Sequence, residues 1–345
     1  MLRNPSQTLP RPSKAPKLPD ESDLKRALGS GFDPTIGNTP YRSQTTAKVR
    51  GRSDKPPNPV SAMLDLFHVR HGEAFRSLDG QPLVCLTDGN RRQTFTVNEA
   101  VLELARLHFE ATGQPTAKRH RSDVQDHLEA LARSGPKRQT WIRVAEHEGA
   151  LYLDLGDDSW RAVQITSDGW QIIDRPPVYF VRSAGMLPLP VPVNGGNVAE
   201  LFDIVNLPDR PSQVLALSWF VAALRPSKPL PVLAFLGEAG SGKTWAASVF
   251  QSLIDPHQAT LRADPADMET VLVGAANAWI LAYDNLSTLP VWFSDTLCRL
   301  STGASFTARA KYTDRAESIL SALCPVILVG IESLITRTDL ADRAI

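Results

Sequence analysis

Apolar positions are sparse and aperiodic at the start of the chain, and a pattern begins only from about Ser61. Thr96-Val-Asn-Glu99, followed by Val101, Leu102, Leu104, Ala105 and Leu107, combines a reciprocal cap with helical spacing and predicts an amphipathic helix that Gly113 ends. Ser122-Asp-Val-Gln125 repeats the device and predicts a second helix stopping at Gly135. Residues 140 to 182 alternate apolar and polar around turn signals, as in Ala150-Leu-Tyr-Leu-Asp154, Arg161-Ala-Val-Gln-Ile165 and Gly169-Trp-Gln-Ile-Ile173, which predicts a small antiparallel meander. From Leu187 to Val198 proline and glycine break the pattern and mark a boundary. A helix is expected from about Pro211 to Leu224, ending before Pro226. Short apolar runs at 230–236, 278–284 and 325–330 read as strands, and Trp245 to Ile254 has helical spacing.

Composition narrows the class. A chain of 345 residues allows about two domains plus tails. The 37 basic and 37 acidic residues balance, so any site for a polyanion must be local. Cys85, Cys298 and Cys324 are odd in number, far apart and without metal-ligand spacing, which argues against a disulfide framework or a zinc ribbon. With no export signal and no long apolar run, the expectation is a soluble cytoplasmic protein without a membrane span. Residues 1–60 hold 10 of the 27 prolines and 11 Lys/Arg against 5 Asp/Glu. They read as a disordered basic tail with a short helix near Asp23 to Leu28, acting as a solubilising leader or a salt-sensitive nucleic-acid tether. The basic runs Ala117-Lys-Arg-His-Arg121 and Lys137-Arg138 read as a solvated face or as phosphate contacts.

The strongest chemical signal follows the run at 230–236. Gly237, Glu238, Ala239, Gly240, Ser241, Gly242, Lys243 and Thr244 match the phosphate-binding P-loop pattern in full, between an expected strand and an expected helix. Glycines let successive N–H groups turn toward phosphate oxygens, and the helix N-terminus adds partial positive charge. Lys243 is expected to reach the β and γ phosphates of ATP, and the Thr244 hydroxyl to ligate Mg²⁺. Asp284 ends the next apolar run and supplies the acidic partner for the metal. Asn285 stands where many P-loop ATPases have a water-polarising Glu, and an amide cannot accept that proton.

Three further segments carry a family resemblance: Leu300-Ser-Thr-Gly-Ala-Ser-Phe-Thr-Ala-Arg-Ala-Lys-Tyr-Thr-Asp314, Pro325-Val-Ile-Leu-Val-Gly330 and Asp339-Leu-Ala-Asp-Arg343. Their order resembles superfamily three helicases of the poxvirus and phage primase-helicase type and their relatives on integrated bacterial elements. Thr302, Gly303, Ala308, Arg309 and Tyr312 match that family's Thr-Gly and Ala-Arg-x-x-Tyr positions. The resemblance covers about residues 200 to 345. It implies an AAA+ type core, a hexameric ring as the homo-oligomer, and single-stranded or forked DNA contacted by Arg309, Lys311 and Tyr312. A basic, aromatic-bearing hairpin suits a single strand through charge and stacking. The resemblance also implies that Arg343 reaches the γ-phosphate bound by a neighbouring subunit.

The sequence departs from the family at Val329, where the sensor strand usually ends in Asn, and at Asn285. In a sheet of order 5-1-4-3-2, strands fall near 231–236, 259–263, 279–284 and 326–329, and no sequence remains for the fifth. The expectation is therefore a truncated or split chain whose P-loop strand is a bare sheet edge.

Two other patterns have simpler explanations. Phe67-His-Val-Arg-His-Gly-Glu73 resembles the start of a histidine phosphatase with His71 as nucleophile, but no later His-Gly pair accompanies it, and a turn or helix end explains it. Tyr152-Leu-Asp-Leu-Gly-Asp-Asp158 resembles paired primase carboxylates, and a hairpin turn explains it. Asp339 and Asp342 read as a polar helix face.

The sequence thus predicts a disordered tail over 1–60, an α+β accessory domain over 61–186, a linker and helical segment over 187–229, and an α/β P-loop core of AAA+ type over 230–345. The expected function is an ATP-binding and ATP-hydrolysing helicase-like protein in phage or mobile-element replication. The alternative is an ATP-binding regulatory or interaction module with little or no hydrolysis.

Overall fold

The computed structural model describes residues 58–207, 209–227, 229–303, 305–309, 317–321 and 323–345. The expected tail up to residue 57, with its helix near Asp23, lies outside the described residues, as do Lys311 and Tyr312.

The first helix, α1 (Pro59–Val69), starts where Pro59 takes a first-turn position and the Asn58 side chain accepts from Val60 N–H. It buries Ala62, Met63, Leu66 and Phe67. The next three strands, β1 (Glu73–Ser77), β2 (Pro82–Asp88) and β3 (Arg91–Thr96), form an antiparallel meander that the sequence pattern did not predict. Leu83 to Leu86 are all buried, so β2 shows no alternation to read. Helix α2 (Val97–Thr112) has the expected reciprocal cap between Thr96 and Glu99 and ends at Gly113, whose φ of 68° lies in the left-handed region.

Helix α3 (Lys118–Ser134) corrects the second capping prediction. It begins one turn before Ser122, from Ala117, with no side-chain cap. The buried stripe Val124, Leu128 and Ala132 fixes its phase, while Arg121 donates from its guanidinium to the Thr116 carbonyl at 2.6 Å. Both helices and α1 cover Val84 and Leu86 of the sheet.

Short strands β4 (Lys137–Arg138) and β5 (Thr140–Trp141) lead into the expected meander, which runs in sequence order through β6 (Val144–His147), β7 (Ala150–Asp154), β8 (Ala162–Thr166) and β9 (Gly169–Ile173). Strand β10 (Tyr179–Phe180) returns to pair with β5. A 3-10 turn (Val198–Glu200) leads directly into α4 (Leu201–Ile204), and α5 (Arg210–Ala223) follows, capped by Asp209.

The C-terminal half is built from β11 (Val232–Leu236), α6 (Lys243–Ile254), α7 (Met268–Ala275), β12 (Leu281–Leu286), α8 (Val291–Thr302), the hairpin β13 (Ser305–Arg309) and β14 (Glu317–Ser321), β15 (Val326–Gly330) and α9 (Thr338–Ala341). Its sheet is parallel, in the order β11-β15-β12. All five residues of β15 are buried, as a central strand covered on both faces requires. Trp219, Phe250 and Ile254 pack on one face, and Phe293, Leu297 and Leu300 on the other.

Beyond β12, the expected strand at 259–263 is reduced to a parallel bridge between Arg262 and Tyr283. Beyond β11, the expected bare edge is covered. Val232 forms a parallel bridge with Ala344, its N–H donates to the Arg343 carbonyl at 2.8 Å, and Ala234 N–H donates to the Ile345 carbonyl at 2.8 Å. Residues 343–345 thus stand where the order 5-1-4-3-2 puts its fifth strand, so the ladder groups at the start of β11 are paired.

Candidate functional site

The site begins where β11 leaves the sheet. Gly237, Gly240 and Gly242 have φ values of 147°, 81° and 85°, a region that residues with a β-carbon avoid. They fold residues 237–242 into a tight loop that enters α6 directly. Gly242 is the N-cap of α6, and no side chain caps that helix. The first N–H groups of α6 therefore lack an intrahelical partner on the loop side, the arrangement that favours an anion.

Side chains from the loop close over this concavity. Lys243 donates from Nζ to the Glu238 carbonyl and to Ser241 Oγ, the latter at 3.1 Å. Ser241 Oγ in turn donates to the Glu238 carbonyl at 2.9 Å. The lysine charge is held across the mouth of the loop by neutral acceptors, which a phosphate oxygen would outcompete.

Asp284 reaches the same place from β12. Thr244 Oγ1 donates to Asp284 Oδ1 at 3.3 Å, although the residues are forty positions apart. Asp284 N–H donates to the Arg262 carbonyl at 2.9 Å, which ties the end of β12 to the bridge beyond it. Asn285 N–H donates to Asp284 Oδ1 at 2.7 Å, and Asn285 itself has a φ of 59°. The pairing of β12 with β15 shifts register between Tyr283 and Leu286, so the backbone turns at these two residues. Among the described residues no group of three or more His, Cys, Asp or Glu converges as a metal cluster. The donors at Thr244 and Asp284 are one hydroxyl and one carboxylate, hard oxygens suited to Mg²⁺ with water completing its shell.

A cavity of about 340 Å³ adjoins the loop and is lined by Gly237, Ser241 and Lys243 together with Leu207, Leu215 and Ile345. It offers an apolar wall beside the charged lysine.

The other expected site residues are placed differently. Val329 is buried beside Phe235 in the core. Gly330 follows it where a β-carbon would lie 2.6 Å from the Leu286 carbonyl oxygen, which leaves room for glycine alone. Arg343 lies on the far side of β11 from β15, its guanidinium bonded to the Asp339 carbonyl. Arg309 ends β13, and its side chain lies outside the described set. Asp339 pairs with Arg337 at 2.8 Å.

The two motifs set aside have local explanations. His71 sits in the turn after α1 with a φ of 45°. Asp154 is buried, its carboxylate gripped by Arg182 at 2.6 and 2.8 Å while Oδ1 also accepts from Gly156 N–H. It is a turn anchor. Sequence reasoning missed Asp255, His257 and Arg262, which follow the loop helix, and Arg143, whose one signal was a charge inside the apolar run Ile142 to Ala145.

No described helix is long and apolar enough to cross a membrane. No curated protein matches the chain. Among solved structures, the chain is similar to the A form apo structure of the NrS-1 C-terminal region, at 14% identity and a TM-score of 0.39 over 79% of this chain. It spans 56% of the length of that region. A second structure, JCV Helicase with a bound acetamide compound, is similar at 13% identity and a TM-score of 0.29, over 40% of each chain. Residues 198–345, which hold the glycine loop, the parallel sheet and the Thr244–Asp284 pair, match the family model described as Actinomycete integrative conjugative element replication protein.

Proposed function

We propose that this chain is an ATP-binding and ATP-hydrolysing, helicase-like replication protein of a mobile element that acts on DNA. The observation that carries the reading is the 3.3 Å contact between Thr244 and Asp284 at the mouth of a loop shaped by Gly237, Gly240 and Gly242. In a P-loop NTPase of AAA+ type that pair holds magnesium, and Lys243 with the loop N–H groups binds the phosphates. Bound magnesium would offset phosphate charge. Lys243 would orient the terminal phosphate, and the apolar wall at Leu207 and Leu215 would seat the base. The family match over 198–345 supports the replication setting. Arg309, the last residue of β13, with Lys311 and Tyr312 beyond it in sequence, is the proposed contact for single-stranded or forked DNA. A homo-oligomeric ring, with Arg343 serving a neighbouring subunit, is part of the same proposal.

A second reading is favoured by Asn285 and Val329. An amide in the left-handed region follows Asp284, and a buried valine ends the core of β15. The amide cannot accept a proton from water, and the valine has no side-chain group with which to hydrogen-bond one. In that reading the chain binds ATP as a switch with little turnover.

ATP hydrolysis measured with and without single-stranded DNA separates the two. Turnover that DNA stimulates and Lys243→Ala abolishes supports the motor. Binding without turnover supports the switch.

A further inference from the structure

We propose that Arg143 and Asp255 are positioning residues for the Thr244–Asp284 pair, through which the accessory meander sets how well that pair holds magnesium. The inference rests on the reading of the glycine loop as a Mg-ATP site and names what regulates it.

Thr244 sits in the first turn of α6 and Asp284 near the end of β12. The opposite ends of both elements meet at one carboxylate. Asp255 follows α6 directly, and its Oδ2 accepts from Trp279 N–H at 2.7 Å and Ile280 N–H at 3.0 Å, immediately before β12. Helix and strand act as rigid elements, so a clamp at their base sets the separation of the two side chains at their tips. A second route starts from the same residue. Beyond Asp255 the chain is paired with the 185–187 segment through an antiparallel bridge between Met186 and His257. Leu187 N–H donates to the Pro256 carbonyl at 2.9 Å, and Gln258 N–H donates to the Gly185 carbonyl at 2.8 Å. The chain then reaches Arg262, whose N–H donates to the Ala282 carbonyl at 2.8 Å and whose carbonyl holds Asp284 N–H at 2.9 Å.

Arg143 directly precedes β6 and locks this junction to the meander. Its Nε donates to Asp255 Oδ1 at 3.0 Å and its Nη1 to the Asp154 carbonyl at 3.0 Å. Its Nη2 donates to the carbonyls of Leu187 at 2.7 Å and Pro256 at 3.3 Å. The side chain is fully buried, and the backbone is held at a φ of 60°, a region that a residue with a β-carbon occupies at a cost. Stability alone does not call for this arrangement, since apolar side chains of similar volume often fill such a space equally well. The ion pair adds direction, because each bond fixes an angle and a register that apolar packing leaves free. Magnesium needs near-ideal octahedral geometry at short distances. A small displacement of Asp284 against Thr244 therefore weakens the metal site without disturbing Lys243 or the loop N–H groups.

The test compares the full native chain with Arg143→Lys, with the double variant Arg143→Met/Asp255→Leu, and with Leu128→Ala as a control. Arg143→Lys keeps a charge opposite Asp255 but loses the planar fork. Leu128→Ala removes a fully buried side chain from the accessory core, away from both residues. ATP binding is titrated with and without magnesium below each melting transition, and amide hydrogen exchange is followed at residues 281–286 in the metal-free chain. In the double variant the gain in ATP affinity on adding magnesium should shrink by about threefold to thirtyfold. Affinity for metal-free ATP should stay the same, and exchange at 281–286 should quicken. Arg143→Lys should shift the magnesium gain in the same direction by less, and Leu128→Ala should leave it unchanged. An undiminished magnesium gain in both Arg143 variants, or an equal loss in Leu128→Ala, overturns the inference and leaves the reading of the loop standing. No magnesium-dependent ATP binding by the native chain overturns that reading and the inference with it.

Discussion

Arg143 and Asp255 form an ion pair at 3.0 Å in which both side chains are fully buried, and it joins the antiparallel meander to the end of the loop helix α6. The remaining polar atoms are satisfied. Arg143 donates to the carbonyls of Asp154, Leu187 and Pro256, and Asp255 Oδ2 accepts from Trp279 N–H at 2.7 Å and Ile280 N–H at 3.0 Å. One carboxylate therefore ties α6, the approach to β12 and the accessory meander together. Removing one partner leaves a buried charge, so Arg143→Met or Asp255→Leu alone should destabilise by about 3–5 kcal/mol. The double variant should recover much of that loss, and chemical denaturation of the three proteins checks it.

Gly330 faces the Leu286 carbonyl with no space for a methyl, and a β-carbon there would also lie 2.8 Å from Leu334. Gly330→Ala should cost about 1–3 kcal/mol through forced movement of β12 against β15. A fall in the urea midpoint without a change in slope would bear this out, whereas an unchanged midpoint would contradict the packing described.

Burial pushes the Cys324 thiol up to about 12, and burial also raises Cys85. Thiolate is the reactive form, so neither residue should react with iodoacetamide in the folded protein. Both should react once denaturant is added. Mass spectrometry of peptides alkylated before and after unfolding gives the answer.

The lowered pKa of His257 has a defined consequence for stability. The unfolded chain takes up the proton first, near pH 6.5, while the folded chain resists it. The contribution is complete above that pH and is lost as the pH falls through the folded value. Stability should therefore drop between about pH 7.5 and about pH 5.5, and His257→Gln should flatten that part of the profile. Denaturation midpoints at both pH values measure it.

Much of the fold was legible because local rules agreed with burial. The Thr96–Glu99 cap, the meander at 150–173 and the strand, loop and helix around Gly237 were each written in adjacent residues. Ser122 misled because a capping pattern inside a helix looks the same as one at its start, and the stripe from Val124 to Ala132 decided the phase. The β1–β3 meander was hidden because β2 is buried without alternation. The covered edge of β11 rests on three terminal residues, too short a run for any periodicity. In the site, Lys243, Thr244 and Asp284 were readable from motif and spacing. Arg143, Asp255, His257 and Arg262 meet only in three dimensions, and nothing in their spacing announces it.

The central claim is that the glycine loop with Thr244 and Asp284 binds Mg-ATP. The most direct test is calorimetric titration of the full chain with ATP, with and without magnesium, beside Lys243→Ala and Asp284→Ala. The account predicts saturable binding by the native chain that magnesium strengthens, that Lys243→Ala abolishes, and that loses its magnesium dependence in Asp284→Ala. Equal binding by the native chain and Lys243→Ala, or no binding by the native chain, would contradict it.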